Sequence, residues 1–188
     1  MTIMFHEGNR QLQDQFDSRR IADRLEEKLT RQAFTEGDRS LIEALPFFFL
    51  ATSDDRGRAD CSFKGGLPGF VRVTGASELA FPDCDGNGMF KSLGNILVNP
   101  EVGLLFIDMG EKPRRLRVNG RATVLRDDPL MQKFAGAQLL VRVAVRAIFP
   151  NCPRYVTTPG VAEPSKYAPR PGYEPPEPAW KGFDRSEE

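Results

Sequence analysis

A chain of 188 residues with 26 basic and 26 acidic side chains carries no formal net charge, which argues against a nucleic-acid binder, whose usual mark is a surplus of positive charge. The length suits one domain, and a 40% hydrophobic fraction with 14 phenylalanines is enough for a core. One histidine and three scattered cysteines without a CxxC pair leave no zinc ligand set; the thiols suit a reduced, cytoplasmic protein, and no long apolar run suggests a signal peptide or membrane span.

Residues 1–10 read as a loose lead-in. Residues 18–34 read as an amphipathic helix, with Ser18 as candidate N-cap and Ile21, Leu25, Leu29 and Ala33 four apart on one stripe. Gly37 breaks it. A short helix from Asp38 to Leu45 turns Leu41, Ile42 and Leu45 inward, and Pro46 ends it. Phe47–Ser53 is nearly all apolar, as in a strand buried on both faces, and Asp54-Asp55-Arg56-Gly57 is a turn that pairs it with a strand over Arg58–Lys64. After the Gly65–Gly69 loop, Phe70–Thr74 and Glu78–Pro82 read as strands. Met89–Val98 reads as a helix with Met89, Leu93, Ile96 and Leu97 on its apolar side, stopped by Asn99-Pro100. Val102–Ile107 reads as another buried strand.

Arg115–Leu125 alternates. Leu116, Val118, Gly120 and Ala122 point one way and Arg115, Arg117, Asn119 and Arg121 the other, because successive strand side chains take opposite faces. Asp128-Pro129 opens a short helix to about residue 135. Gln138–Phe149 alternates again, with Val141, Val143, Val145 and Ala147 against Arg142 and Arg146. Nine of the fifteen prolines lie from Pro150 onward, which reads as an extended tail suited to wrapping a partner subunit. The expected division is a helical extension over 1–45, a β domain over 46–156 and a proline-rich tail over 157–188. Six or seven short strands with peripheral helices predict a mainly β fold, a barrel and not a doubly wound sheet.

Four segments bring polar chemistry to this sheet. Cys61-Ser62-Phe63-Lys64-Gly65-Gly66 ends a strand with a hydroxyl, a cation and glycines that allow close approach, or else merely runs into a turn. Lys91 and Ser92 sit at a helix start, where free amide hydrogens and the dipole favour an anion. A lysine there is unfavourable for the dipole unless an anion is near, the other reading being a solvated surface lysine. The arginines of Arg115–Arg121 share one face and repel unless anions or carboxylates offset them. In the Phe149–Tyr155 corner, Arg154 can reach a phosphate and Tyr155 can cover a ring. Together they read as a cationic edge that holds a phosphate beside a flat ring, a flavin-nucleotide site. No Walker lysine motif, GxGxxG or Ser/His/Asp set is present, and no general acid or base stands out.

From Leu45 to Tyr155 the chain resembles the pyridoxamine 5'-phosphate oxidase superfamily, the FMN-binding split β-barrels. The carriers are Phe49-Leu50-Ala51-Thr52 with the Asp55-Arg56-Gly57-Arg58 turn, Asp60 to Gly66, Leu79 to Asp83, Asn95 to Pro100 and Arg115 to Gly120. The resemblance implies a homodimer with FMN at the subunit interface and a small-molecule substrate. It places Ser62, Phe63, Lys64 and Gly65 at the flavin edge and ribityl chain and Phe81 and Pro82 beside the flavin. It puts Lys91 and Ser92 on the phosphate, where the family carries an Arg-Lys pair. Arg115 stands where the oxidase has a glutamine; there it would stabilise an anionic reduced ring. The oxidase's C-terminal pattern of Arg and His around a Trp is not evident; the single tryptophan here is Trp180. The expected activity is therefore an FMN-dependent oxidoreductase moving hydride or electrons between a reduced donor and a small acceptor. A non-catalytic FMN-binding protein or redox sensor is an alternative. A deazaflavin- or haem-using barrel is another; with His6 the only histidine, haem would fall to Cys or Met ligands.

Overall fold

The computed structural model describes residues 4–84, 86–156 and residue 176; Trp180 and the tail over 157–175 and 177–188 lie outside the described residues. The chain divides into two compact units. One contains the described parts of 1–29, 109–114 and 152–188; the other contains 30–108 and 115–151.

In the first unit, the expected lead-in is a helix, α1 (Glu7–Gln15), not a loose segment. His6 starts it: its ring accepts the Gly8 N–H at 3.2 Å, and Asn9 accepts the His6 N–H at 3.0 Å. Histidine is a rare N-cap and the helix has no apolar stripe, so neither usual signal marked it. Helix α2 (Arg19–Leu29) begins after Ser18 as expected but stops before Ala33.

The second unit is a seven-stranded sheet in the order β2-β1-β5-β6-β7-β4-β3. Its strands are β1 (Phe47–Ser53), β2 (Ala59–Gly65), β3 (Arg72–Gly75), β4 (Glu78–Cys84), β5 (Glu101–Asp108), β6 (Arg114–Leu125) and β7 (Ala137–Asn151). The hairpin from β1 to β2 pairs Phe47 with Gly65 and Ser53 with Ala59. Gly57 supplies the positive φ of +76° that its turn requires. Asp54 fixes the turn by accepting the Arg56 and Arg58 amides at 3.0 and 2.9 Å.

The sheet curls on itself. β1 is second and β4 sixth in the order, a separation of roughly 19 Å in a flat sheet. Yet the Phe48 and Phe81 rings lie 5.0 Å apart, which only a barrel allows. Phe48 also meets Phe106 at 5.3 Å and Phe70 at 5.9 Å. Leu50, Leu104, Val118, Leu79 and Val143 complete the fully buried interior, each side chain worth about 1.5–3 kcal/mol of burial.

β1 and β5 were expected to be buried on both faces, but each alternates. Phe47 and Phe49 turn outward and pack with Phe63 at 5.4 and 6.0 Å. An apolar outer face imitates a doubly buried strand in sequence. The register shift at Asn119 and Gly120 likewise breaks the alternation of β7, so that Ala147 and Ile148 are both buried.

Helix α3 (Glu36–Ala44) inserts Leu41 and Ile42 into the barrel. Thr35 and Asp38 form its capping box, and Arg31 forks onto Asp38 at 2.7 and 3.1 Å. Helix α4 spans Lys91–Val98, so Met89 precedes it and, like Leu97, is exposed and not on a buried stripe. Among the described residues no helix is long and apolar enough to cross a membrane.

Candidate functional site

Helix α4 is fixed against the β1–β2 hairpin by side-chain hydrogen bonds. The Asn95 amide donates to Thr52 Oγ1 at 3.0 Å in a buried contact, and the Asn99 amide donates to Ser53 Oγ at 2.9 Å. At the other end, the Ser62 and Ser92 hydroxyls are 2.9 Å apart. These bonds aim the start of α4 at the outer end of β2.

Between them lies a cleft of about 550 Å³, within the roughly 300–1,000 Å³ range of small-molecule sites. β2 contributes Asp60 through Lys64, β4 contributes Asp83 and Cys84, and Gly86–Leu93 close it. The segment leading into α4 is bent by two positive φ angles, +71° at Gly88 and +46° at Phe90. Phe90 is the N-cap residue and gives no side-chain hydrogen bond to the first turn. An N-terminus left without a side-chain cap directs its amides at whatever fills the space in front.

The charges agree with that geometry. Lys64 and Lys91 line the cleft and make no ion pair among the described residues. Elsewhere on the barrel, three arginines are matched to carboxylates. Arg142 forks onto Asp128 at 2.7 Å and reaches Glu78 at 2.6 Å, and Glu101 accepts from Arg121 and Arg146. Two acidic groups line the same cleft, Asp60 on β2 and Asp83 on β4; the shifted one is Asp83. Burial pushes its carboxyl above the ordinary carboxylate value, with the Lys64 charge opposing the shift.

The cleft's rim is apolar. Phe63 is 62% exposed, Met89 71% and Phe90 50%. Phe63 rests flat on Phe47, with planes 19° apart, and so offers its other face to a ring.

Of the residues singled out in sequence, Ser62, Phe63, Lys64, Lys91 and Ser92 come together around this cleft. Gly65 and Pro82 line a neighbouring cleft that shares Phe63, Lys64, Asp83 and Cys84 with the first. Phe81 is 1% exposed, packed in the core, and lines neither cleft. Arg115 and Arg117 lie on β6 outside both linings, Arg117 being 5.9 Å above the Phe149 ring. Arg154 belongs to the other compact unit, 5.2 Å from the Tyr155 ring.

Three polar liners had not been singled out as site residues: Asp60, Asp83 and Asn87. Asp60 alternates with Ser62 and Lys64 along β2, a period of two that was available in the sequence. Asp83 shows only once β4 is known to end beside β2. Asn87 shapes the approach to α4 by accepting the Met89 amide at 3.0 Å.

The pyridoxamine 5'-phosphate oxidase family model matches residues 34–156. No curated protein matches the sequence. Among solved structures, the chain is similar to a pyridoxamine 5'-phosphate oxidase candidate from Lactobacillus delbrueckii, with 22% identity, 63% of this chain and 95% of that chain covered, and a TM-score of 0.50. It is also similar to HupZ of Group A Streptococcus, with 18% identity, 62% and 93% coverage and a TM-score of 0.50. At these identities the likeness is one of fold, a split barrel.

Proposed function

The chain belongs to the pyridoxamine 5'-phosphate oxidase family, and on that premise we propose that it is an FMN-binding oxidoreductase of small molecules. The observation that carries this reading is the junction of a helix start lacking a side-chain cap with two cations that make no ion pair among the described residues, in a cleft edged by an exposed phenylalanine. A terminal phosphate suits the first turn of α4, with Lys91 Nζ and the Ser92 hydroxyl as donors. Ser62 and Lys64 then follow the polyol chain and ring edge, and Phe63 lies against the ring.

FMN bound there would supply the exchange of hydride or single electrons. The chain's own groups orient it and set its electrostatics. Lys64 stabilises negative charge at the ring edge. Asp83, whose carboxyl burial raises above the ordinary aspartate value, lines the same cleft.

Arg115, Arg117 and Arg154 do not line this cleft. In a homodimer with the cofactor at the interface, the second copy supplies them. That arrangement also covers the exposed apolar rim of Phe63, Met89 and Phe90, and with it Leu97 at 72% exposure.

The experiment is an FMN titration of the full-length protein and two variants. Lys91→Ala weakens binding roughly tenfold, the value of one hydrogen bond to a charged group, whereas Lys28→Ala, on α2, leaves it unchanged. Equal affinities in the two variants refute the phosphate assignment.

A further inference from the structure

Asp60, Ser62 and Lys64 alternate along β2, so one face of the strand offers a carboxylate, a hydroxyl and an ammonium in turn, each roughly 7 Å from the next. The middle of this row is tied to α4, because the Ser62 hydroxyl lies 2.9 Å from that of Ser92 in the first turn of the helix. The acidic end is tied as well. Asp60 pairs with Thr52 across the hairpin, and Thr52 Oγ1 accepts the Asn95 amide at 3.0 Å in a buried contact. Hairpin and helix therefore hold the Asp60 backbone at a set distance from the start of α4, on the side away from Lys64.

The carboxylate at that end has no counter-charge. Arg58, two residues earlier, is engaged by Asp54, with both Nε and Nη2 2.6 Å from its Oδ2. Asp60 itself makes no ion pair and no side-chain hydrogen bond among the described residues. An anion at the first turn of α4 has the Lys91 ammonium, the Ser92 hydroxyl and the helix amides to hold it. A second anion placed further along β2 meets only Asp60, and like charges at close range in a cleft repel.

We propose that Asp60 sets the length of the ligand: the cleft takes a flavin that ends in a single phosphate and rejects a flavin dinucleotide. This role rests on the reading of the cleft as a flavin site with the phosphate at the start of α4. With the ring toward Phe63 and Lys64, a flavin adenine dinucleotide continues beyond its first phosphate toward Asp60. Its second phosphate faces the carboxylate there and gains no donor. FMN ends before that point. The discrimination comes from a repulsive group set against the wrong ligand, not from a tighter hold on the right one.

The test is calorimetric titration of the full-length protein with FMN and with flavin adenine dinucleotide. The wild type binds FMN at least about tenfold more tightly than the dinucleotide. Asp60→Asn raises affinity for the dinucleotide and narrows that preference about fivefold or more. Asp60→Ser, which removes the charge with a smaller side chain, does the same, and both variants keep the melting temperature of the wild type. Asp55→Asn, the same change of charge in the exposed hairpin turn, leaves the preference as it was. Equal affinities of the wild type for the two flavins overturn the proposal. So does a dinucleotide bound no better by either Asp60 variant than by the wild type, or an equal narrowing in Asp55→Asn. FMN binding with an unaltered preference removes the role of Asp60 alone. Failure of both flavins to bind the wild type removes the flavin reading, and the role of Asp60 falls with it.

Discussion

Asp83 is the residue whose chemistry most separates this cleft from an ordinary solvated groove. Burial raises its carboxyl above the usual 3.8, and Lys64 only partly offsets that. In the interval between the unfolded and folded values, the folded chain holds a proton that the unfolded chain has released. Ionising Asp83 therefore costs stability as pH rises through the folded value, and the cost vanishes below 3.8. Asp83→Asn is expected to raise the urea midpoint at neutral pH and to leave it nearly unchanged below that value. A variant that is equally affected at both pH values would show that Asp83 is not held out of water. Asp128 has the opposite sign. The Arg142 hydrogen bond holds it below 3.8, so its contribution is present above that value and is lost as pH falls through the lowered one.

At the same scale, the sequence showed residue types more readily than partners. Lys91 and Ser92 were legible because a helix start limits what a lysine can do there. Lys64 and Ser62 were legible from a strand running into glycines. The matching of Arg142 to Asp128 and Glu78 was not, since it spans 14 and 64 residues of separation and depends on register. The inward turn of Phe81 could have been read from Leu79, two residues earlier on the same face.

Among the elements, α4 controls the site, and its hold on the barrel is polar. Removing the Asn95 amide leaves Thr52 Oγ1 without its donor at a position where both residues are buried. Asn95→Ala is expected to lower stability by about 1–3 kcal/mol and to weaken FMN binding with it, because the helix start loses its aim. Denaturation and titration of the same variant check both. Intact affinity with lost stability would detach the helix from the cofactor.

The bulge between β6 and β7 is the second element on which the barrel depends. A Cβ on Gly120 would stand 2.3 Å from the Ala144 carbonyl oxygen, closer than any side chain tolerates. Gly120→Ala should cost about 1–3 kcal/mol in chemical denaturation, as overpacked sites do; a neutral result would mean the strands separate freely there. The element order was legible because turn residues punctuate it: Asp54 to Gly57 and Asn99-Pro100 fall between elements, and Asp128-Pro129 opens the 3-10 turn. Helix α1 was not, since its cap is a histidine and no stripe marks it. The extra residue of the bulge left no mark either, because an alternating pattern cannot show where a partner strand loses step.

For the whole molecule, zero net charge hides an uneven distribution. Carboxylates pair with arginines on β4, β5 and β7, while lysines and Arg72 gather around two clefts that share a wall. The barrel curl makes this possible: β2 and β4, first and sixth in the sheet, end side by side. Charge separation of this kind favours an anionic ligand without attracting polyanions at large. The apolar rim of the first cleft adds the expectation that two chains meet there. The central claim, that the cleft at the start of α4 holds a flavin nucleotide where two copies join, is tested most directly by the absorbance spectrum of the purified protein read together with its mass in solution. The account predicts flavin bands with one FMN per chain and a mass twice that of the chain. A colourless protein of single-chain mass that takes up no added FMN would contradict it.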